Sequence, residues 1–538
     1  MFMLFKSNKF LLFFLLLLCL FVFFTGIGSY GLLDKDEPRY ASCALEMLEN
    51  NDFIVPKFNF QDRFDKPVLY YWLIAASYKL FGISDFTSRI PSAFCAVLCV
   101  FFTWYTSVVV LGKLRGFICA LVLATSIEYI LLGRRAATDI ALCLFFSGTL
   151  YSLFLGYYLK NLKIKIFWTV ISGVFAGLAV LTKGPIGIIL PLIVLACFLA
   201  VRKNFDLKHI KIFFIISFLA LLVSLPWYFA IHLATKGEFT RTFFFEHNLS
   251  RFTSVVGEHP GPIWFYIPII IGGFMPWTFL FVNAFFNLSK KLIRKNCNKL
   301  ILFCFVWVGV VFFFFSLSTT KLATYILLLF PPLSIITGYW ISILGLKNIG
   351  FLRLVLKVTI FAFIPALTYA IYLILKWKIS SFEKNMILGE MSFVLLFVTI
   401  ALILDFKFCR KYYSLISVFS VVLTVSLVLG LNFYLVPYYK HTHGELRHFA
   451  ELAKEVSVKE VISFGMYRPS LVYYSRIPVN FDEKKNQIQK IKKHYLNSKS
   501  KREDVFVIGH SSDINKHKKL FQEVTVIEMG KKYFVARL

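Results

Sequence analysis

Long apolar runs separated by short polar stretches dominate the chain. Each run is about 18 to 24 residues long, the length that a helix needs to cross ~30 Å of hydrocarbon. Lys, Arg or Pro bounds each run, so we predict about thirteen membrane-spanning helices. Their expected starting residues are Phe10, Ser92, Phe117, Ile140, Ile166, Gly184, Ile210, Ile263, Leu300, Leu322, Leu354, Ile387 and Tyr413. The first run has no clear A-x-A cleavage site, so we expect it to be retained rather than removed as a signal peptide.

Three polar stretches interrupt this pattern. Residues 32–91 mix acidic and basic residues with aromatic runs such as VLYYWLIAASYKLFG, which is typical of helices lying in the membrane interface. Residues 234–262 form a second long loop. From Lys440 to Leu538 the sequence becomes charged, and four β-like runs (KEVISFG, DVFVIGH, TVIEMG and KYFVARL) predict a small α/β domain.

The predicted fold is therefore an all-α polytopic membrane protein with an added C-terminal α/β domain. We place the transmembrane domain at residues 1–435, with the active site formed by its outer loops 32–91 and 234–262, and the α/β domain at 440–538. The composition agrees, because 58% hydrophobic and 16% charged residues exclude a soluble globule.

The formal net charge is +30, which in a soluble protein would suggest a nucleic-acid partner. Here the basic residues collect in alternate loops, for example at Lys160, Lys163 and Lys165 and again at Lys290 and Lys291. This is the positive-inside pattern, and it predicts a cytoplasmic amino terminus with both long loops and the C-terminal domain outside. We therefore expect membrane lipids rather than nucleic acid as partners. Among 10 cysteines only Cys43 falls in an outer loop, so no disulfide framework is indicated.

The first candidate residues follow the first span. The motif LLDKDEPRYA contains Asp36, Glu37 and Arg39, which a solvated loop with local ion pairs would also explain. The motif DRFDKPVLYYW contains Asp65 and Lys66. A lysine there suits a phosphate, although Asp65 and Pro67 are also typical of a helix start.

Two more candidates lie where spans meet the outer surface. Asp139 in RRAATDIAL enters a span, where a carboxylate is costly unless it is paired or functional. The alternative is a helix cap neutralised by Arg134 and Arg135. Lys183 in LTKGPIG lies in a tight turn between spans, where interfacial snorkelling is the favoured interpretation.

The remaining candidates lie in the second outer loop and beside the tenth span. The motif EHNLSRF supplies Glu246, with His247 and Arg251 four residues apart and on one face if the segment is helical. The motif STTKLATYILLL supplies Lys321 and Tyr325, which an interfacial lysine and tyrosine would also explain. Since all these segments fall on the predicted outer side, we expect a cavity of carboxylates and cations suited to a lipid-linked phosphate.

The motifs DEPRYA, FDKPVLYYW, RRAATDIAL, LTKGPIG, EHNLSRF with HPGPIWFYIP, and STTKLATYILLLFPP occur in this order along the chain. With these motifs in this order, the chain resembles the GT-C membrane glycosyltransferases, specifically the superfamily of lipid A aminoarabinose transferases and dolichyl-phosphate-mannose protein mannosyltransferases. It looks nearer the aminoarabinose-transferase branch. It departs from that branch at Val68, where a second proline is usual, and at Thr320 and Ala323, where glycine and proline are common.

The resemblance implies roles for particular residues. It implies that Asp36 is the catalytic carboxylate, with Glu37 and Arg39 beside it, and that Asp139 is a second acid of the cavity. Around the carrier phosphate it places four residues, Lys66, His247, Arg251 and Tyr325, to which we add Lys321 as a further cation. Some members hold a divalent metal next to the positions of Asp65 and His247, and we leave that metal open.

The predicted function is transfer of a sugar from a polyprenyl-phosphate carrier, such as undecaprenyl phosphate, at the periplasmic face of a bacterial inner membrane. The expected acceptor is lipid A, a polysaccharide or a protein, and the transfer is expected to invert the anomeric centre. The enzymatic alternative is a protein O-glycosyltransferase. The alternative from another class is a flippase or transporter of a lipid-linked sugar, which would need charges at mid-membrane and on both faces.

Overall fold

A computed structural model describes residues 8–203, 206–244, 261–294, 298–347, 350, 412–497, 505–521 and 524–538. The chain groups into two compact units. The first contains Met1–Ile27, Phe64–Tyr70 and Arg89–Asn432, and the second contains Gly28–Arg63, Tyr71–Ser88 and Phe433–Leu538. Each unit is described by itself.

The first unit is built from apolar helices. Their bounds are Asn8–Phe24, Asp85–Leu111, Lys113–Ala124, Ile127–Gly133, Thr138–Tyr158, Leu162–Lys183, Ile186–Val201, Leu207–Ala234, Glu238–Arg241, Tyr266–Gly273, Thr278–Ile293, Lys299–Leu317, the 3-10 helix Ala323–Leu329, Phe330–Lys347, and the first part of Tyr412–Glu455.

The described residues include six helices long and apolar enough to cross a membrane, or up to eight if each bent pair is one span. Two of them, Thr138–Tyr158 and Ala323–Leu344, are 89% buried and therefore central, whereas Ile210–Ala234 is only 22% buried and peripheral. Every predicted span start within the described residues lies in a helix or up to about three residues before one. The starts at Leu354 and Ile387 lie outside the described residues. The multi-pass membrane architecture is confirmed, and the number of about thirteen spans stays a prediction.

The second span begins earlier than the sequence suggested. We expected the first outer loop to run to Pro91, but the helix starts at Asp85 and contains this proline. Ser84 and Thr87 explain the start, because each side chain accepts a hydrogen bond from the other residue's backbone N–H, at 3.1 and 2.9 Å. Pro91 leaves the Thr87 carbonyl without its helical donor, and Ser77 Oγ donates to that carbonyl at 2.7 Å.

Two predicted spans are broken rather than continuous. Lys113–Ala124 and Ile127–Gly133 meet at 67°, and Tyr266–Gly273 and Thr278–Leu292 meet at 116°. The two breaks are hydrogen-bonded to each other, since Ile127 N donates to Met275 O at 3.1 Å and Trp277 Nε1 donates to Thr125 Oγ1 at 2.9 Å. Backbone groups that lose their helical hydrogen bonds inside a membrane need other hydrogen-bond partners within the protein.

The second unit combines the first outer loop with the C-terminal region. The loop contributes the helix Asp36–Glu49, the short strands β1 (Lys57–Phe58) and β2 (Gln61–Asp62), and most of the helix Leu69–Phe81. The C-terminal helices are the second part of Tyr412–Glu455, then Pro469–Ser475, Lys484–Asn497, Ser511–Lys516 and Lys518–Phe521.

The C-terminal sheet has five strands, β3 (Glu460–Phe464), β4 (Val479–Asn480), β5 (Val505–His510), β6 (Thr525–Met529) and β7 (Tyr533–Arg537), in the order β4-β3-β5-β7-β6. Strand β3 runs parallel to β4 and β5, and β7 runs antiparallel to β5 and β6. All four predicted runs form strands, which confirms the small C-terminal sheet region. Phe464, Val507 and Phe534 are 0% exposed in its core.

Candidate functional site

A pocket of about 410 Å³ lies within the first unit. One part of its wall is polar and carries two carboxylates, two lysines and three hydroxyls. The rest is apolar. The polar lining residues are Asp65, Lys66, Asp139, Lys183, Ser318, Thr324 and Tyr325, and the apolar ones are Leu142, Pro185, Ile186, Ile189, Leu190, Phe243, Phe244, Phe314, Phe315 and Leu328.

Asp139 and Lys183 form the central ion pair of this pocket. Lys183 Nζ donates to Asp139 Oδ1 at 2.6 Å, and both side chains are 15% exposed. The Thr324 hydroxyl also donates to Asp139. The predicted alternative, a cap neutralised by both neighbouring arginines, describes this geometry only in part, because the charge of Arg135 acts on Asp139 but Arg134 hydrogen-bonds to other groups. Arg134 instead donates to the carbonyls of Val22 and Thr25 at 2.6 and 2.7 Å.

Local chain geometry brings this lysine to the pocket. The helix Leu162–Lys183 ends at Lys183, because Gly184 follows with φ of 90°, a left-handed conformation that glycine adopts readily. The next helix, Ile186–Val201, then supplies apolar wall residues such as Ile186 and Ile189.

Tyr325 lies on the other side of Lys183. The Lys183 ammonium is 4.8 Å from the centre of the Tyr325 ring, within the range of a cation–π interaction. Phe315 packs against the same ring at 5.2 Å, which limits its freedom. Tyr325 thus presents a hydroxyl-bearing ring next to a cation and an acid.

Asp65 and Lys66 line the same pocket, and the role of Lys66 at a carrier phosphate stays a prediction. Lys66 Nζ donates to the Asp65 backbone carbonyl at 3.0 Å. Lys321 is placed differently, since it is only 6% exposed and donates to the Ser318 carbonyl. It does not belong to the pocket lining that the described residues form.

Asp36, Glu37 and Arg39 belong to the second unit. Asp36 is 59% exposed, and its Oδ1 lies 3.7 Å from Arg39 Nη1. Arg39 also lies over the Tyr467 ring at 5.0 Å. Glu37 is 0% exposed and accepts a hydrogen bond from Leu33 N at 2.8 Å, so its carboxylate holds the loop backbone.

Three predicted residues, Glu246, His247 and Arg251, lie outside the described residues. His247 is one of the two positions considered for a metal, so that pair of positions falls partly outside the described residues. In the part of the chain that the structure describes, no three His, Cys, Asp or Glu side chains cluster as metal ligands. Likewise, no disulfide links the described cysteines.

Sequence reasoning missed Lys183 as a site residue, because a lysine at a membrane-facing helix end is usually explained by snorkelling. A signal existed, since Lys183 and Asp139 were predicted on the same side of the membrane. The apolar wall gave no signal, because its members resemble any other residues of a span.

Comparison with known proteins gives two kinds of match. Residues 65–229 match the family described as dolichyl-phosphate-mannose-protein mannosyltransferase. The undecaprenyl phosphate-alpha-4-amino-4-deoxy-L-arabinose arabinosyl transferase of Shewanella sediminis is 30% identical over 310 residues, which is 58% of this chain and 56% of that protein. The enzyme of the same name from Yersinia pestis is 31% identical over 318 residues, 59% of this chain and again 56% of the relative. The matched region thus spans about half the length of these curated relatives.

Solved structures match over nearly the whole chain. The crystal structure of ArnT from Cupriavidus metallidurans bound to undecaprenyl phosphate has a TM-score of 0.80 at 20% identity, covering 98% of this chain and 97% of that one. The apo oligosaccharyltransferase of Archaeoglobus fulgidus has a TM-score of 0.55 at 13% identity, covering 94% and 69%. At these identities the likeness shows the fold.

The fold and the matches define a polytopic membrane protein that is similar to glycosyltransferases. The likeness to the GT-C membrane glycosyltransferases that the motifs predict, nearer the aminoarabinose-transferase branch, is confirmed as a similarity.

Proposed function

We propose that the protein transfers a sugar from a polyprenyl phosphate to a lipid A-type acceptor at the outer face of a bacterial inner membrane. The donor that the relatives' names indicate is undecaprenyl phosphate-4-amino-4-deoxy-L-arabinose. In this proposal the amino terminus is cytoplasmic, and residues 1–435 form the transferase domain, with 440–538 as a periplasmic domain.

The observation that carries the proposal is the division of the pocket into a charged part and an apolar part. Lys66, Lys183 and Tyr325 supply donors for a phosphate, and the phenylalanine and leucine walls suit an isoprenoid chain. Ile189 lines the pocket and is 51% exposed, so part of the apolar wall is open on the outside of the unit, where a lipid tail can enter.

The proposed reaction breaks the bond between the anomeric carbon and the carrier phosphate oxygen. The acceptor oxygen forms the new bond from the opposite face and loses its proton if it is a hydroxyl. Negative charge grows on the departing phosphate, and Lys66 and Lys183, with Arg251, stabilise it. Removing one such preorganised group typically costs about 2.7 to 4 kcal/mol in comparable sites.

Asp36 is the proposed catalytic carboxylate, and this role rests on the DEPRYA motif and on the exposure of its side chain. With a hydroxyl acceptor Asp36 acts as general base. With an ionised lipid A phosphate as acceptor no base is needed, and Asp36 stabilises the positive charge that develops on the sugar ring. Asp139 keeps Lys183 oriented. On the sequence motifs alone, Glu37, Arg39, His247 and Lys321 are further proposed substrate-binding residues, although Glu37 and Lys321 are bonded to backbone groups in the described structure.

Transfer to protein is the second candidate, because residues 65–229 match a family named for protein mannosyltransferases. The two acceptors are distinguished by mass spectrometry of lipid A and of total glycoproteins from cells with and without the gene. A mass increase of lipid A by one aminoarabinose that depends on the gene supports the proposal. A gene-dependent change confined to glycoproteins would replace it with the second candidate.

The pocket assignment is tested by Lys66→Ala, with Lys79→Ala as its control. Lys79 is exposed at the end of the helix Leu69–Phe81 and is not among the pocket-lining residues, so its loss removes the same charge without changing the lining. We expect Lys66→Ala to weaken binding of undecaprenyl phosphate by on the order of tenfold or more, and Lys79→Ala to leave it unchanged. Equal binding by both variants would remove the phosphate from this pocket.

A further inference from the structure

The C-terminal sheet domain has no assigned role, yet it is packed against the loop that carries Asp36. Within the second unit, Asp34 lies two residues before Asp36 and its side chain is only 1% exposed. Ser470 N donates to Asp34 Oδ1 at 2.9 Å, and Ser470 Oγ donates to Asp34 Oδ2 at 2.7 Å. Both carboxylate oxygens are therefore held by one residue that is 436 positions away in the chain.

The loop is held at a second point as well. Leu32 N donates to Tyr474 Oη at 2.8 Å, and Tyr474 Oη donates to Asp85 at 2.9 Å. Arg447 Nη1 donates to the other oxygen of Asp85 at 2.9 Å, and its guanidinium lies 4.7 Å from the centre of the Tyr474 ring. This network joins the loop to two C-terminal elements, the long helix and the helix Pro469–Ser475.

Close packing leaves the loop little room to move. A Cβ atom added to Gly31 would collide with the Tyr439 ring and would lie 2.6 Å from Tyr474 Oη. On the far side, the Asn59 side chain donates to Val479 O at 2.7 Å and accepts from Val479 N at 2.8 Å. The segments before and after the helix Asp36–Glu49 are thus both bonded to the C-terminal domain.

We propose that the C-terminal domain is a positioning module for the catalytic loop, and that Asp34 and Ser470 are its positioning residues. Asp34 does not take part in the reaction itself. Its two hydrogen bonds from Ser470 fix the backbone immediately before Asp36, so that the Asp36 carboxylate keeps one orientation during turnover. This inference rests on the proposed function, because it takes Asp36 as the catalytic carboxylate.

The pattern of bonds predicts a particular kinetic effect. The proposed phosphate site is formed by other residues, so loosening the loop should lower the rate of transfer without weakening donor binding. Ser470→Ala removes the hydroxyl donor and keeps the backbone donor, whereas Ser470→Thr keeps both. Asp34→Asn keeps the size of the side chain and loses its charge.

The test uses the full-length protein in detergent with undecaprenyl phosphate-4-amino-4-deoxy-L-arabinose and lipid A. We expect Ser470→Ala and Asp34→Asn to lower kcat by on the order of tenfold, with the donor KM changed less than about twofold. Ser470→Thr should recover most of the lost kcat. The control is Glu49→Gln. It removes the charge from the ion pair between Arg476 Nη1 and Glu49 Oε1, which are 3.4 Å apart. This pair also joins the helix Asp36–Glu49 to the C-terminal region, but it does not contact the residues just before Asp36. Glu49→Gln should leave kcat unchanged.

The outcomes separate this inference from the proposed function when Asp36→Asn is measured in the same assay. If Asp36→Asn is inactive while Ser470→Ala and Asp34→Asn turn over normally, the positioning role is wrong and the function stands. If Glu49→Gln loses as much kcat as Ser470→Ala, or if Ser470→Thr restores nothing, the contact is general docking and the inference is overturned. If Asp36→Asn stays active, the catalytic assignment fails and the inference falls with it.

Discussion

At the scale of single residues, several charged side chains of the described structure have a defined partner. Lys183 illustrates this, because it contacts a buried carboxylate at 2.6 Å and an aromatic ring at 4.8 Å. A lysine held in this way is largely buried and is oriented before any substrate arrives. Such preorganisation is what makes a cation effective toward a phosphate.

Replacing Lys183 by Ala should weaken undecaprenyl phosphate binding by on the order of tenfold, because one of the proposed phosphate donors is lost. The variant should also be less stable, because Asp139 keeps a largely buried charge without its lysine. Lys163→Ala is the matched control, since it removes an exposed lysine from the start of the same helix. Isothermal titration and thermal unfolding in detergent measure both effects. Identical behaviour of the two variants would show that the Asp139–Lys183 pair serves neither purpose.

A second residue-scale effect concerns pH. His443 lies in the polar half of the helix Tyr412–Glu455, stacked on Tyr439 at 5.4 Å. Burial lowers its pKa to about 4, and the charges of Arg468 and Lys532 act in the same direction. Asp34 Oδ2 is 3.9 Å away, but a neutral imidazole makes no ion pair with it near neutral pH.

The stability of the protein should therefore fall as the pH drops from 7.5 to 5. In this range the unfolded state binds a proton at His443 near its ordinary pKa of 6.5 and the folded state does not, so protons favour unfolding. The loss is on the order of 1 to 2 kcal/mol. Burial raises the pKa of Asp34 and Glu46, which acts in the opposite sense.

His443→Gln should reduce this pH dependence while keeping a polar side chain of similar size. Melting temperatures of both proteins at pH 7.5 and 5.0 give the comparison. We expect the wild type to lose more than the variant. An equal loss in both proteins would mean that His443 is not the titrating group.

At the scale of elements, the two broken spans are the most informative feature. Glu128 lies at the start of the helix Ile127–Gly133 and packs against Gly273 at the end of the helix Tyr266–Gly273. A Cβ at Gly273 would lie 2.8 Å from Glu128 Cβ and would also collide with its carboxylate. Position 273 therefore requires glycine because the Glu128 side chain approaches its backbone closely, and not because of its backbone conformation.

Gly273→Ala should lower the thermal stability of the protein, because the near end of the Glu128 side chain cannot move away without shifting the helix. Gly272→Ala is the control, since a Cβ there meets nothing within 4 Å in the described structure. The two substitutions are adjacent in one helix and change its intrinsic propensity equally. A melting temperature that falls for Gly273→Ala alone is expected. If both variants melt alike, the breaks do not depend on this contact.

At the scale of the whole molecule, the remaining question is which way the chain faces in the membrane. The bias of Lys and Arg toward alternate loops predicts that the loop containing Lys160 is cytoplasmic and that Leu538 is outside. The proposed site requires the same orientation, because this orientation places Lys66 and Lys183 on the outer side of the membrane.

Reporter fusions following Lys160 and Leu538 should consequently report opposite sides. Alkaline phosphatase should be active only after Leu538, and a cytoplasmic fluorescent reporter should be active only after Lys160. Two fusions that report the same side would contradict the topology and the location of every proposed site residue.

The sequence alone determined the membrane class, the positions of the described spans and the four main strands of the C-terminal sheet. These depend on local pattern, because the length of an apolar run sets whether it can cross a bilayer and alternation sets a strand. It also determined which residue types could hold a phosphate. Only the tertiary structure decided how they pair. Lys183 and Asp139 are 44 residues apart and Ser470 and Asp34 are 436 apart, and no local pattern specifies a contact at such separations. The bends of the broken spans were likewise decided by packing, because one break is bonded to the other through a backbone hydrogen bond from Ile127 to Met275 and a side-chain hydrogen bond from Trp277 to Thr125.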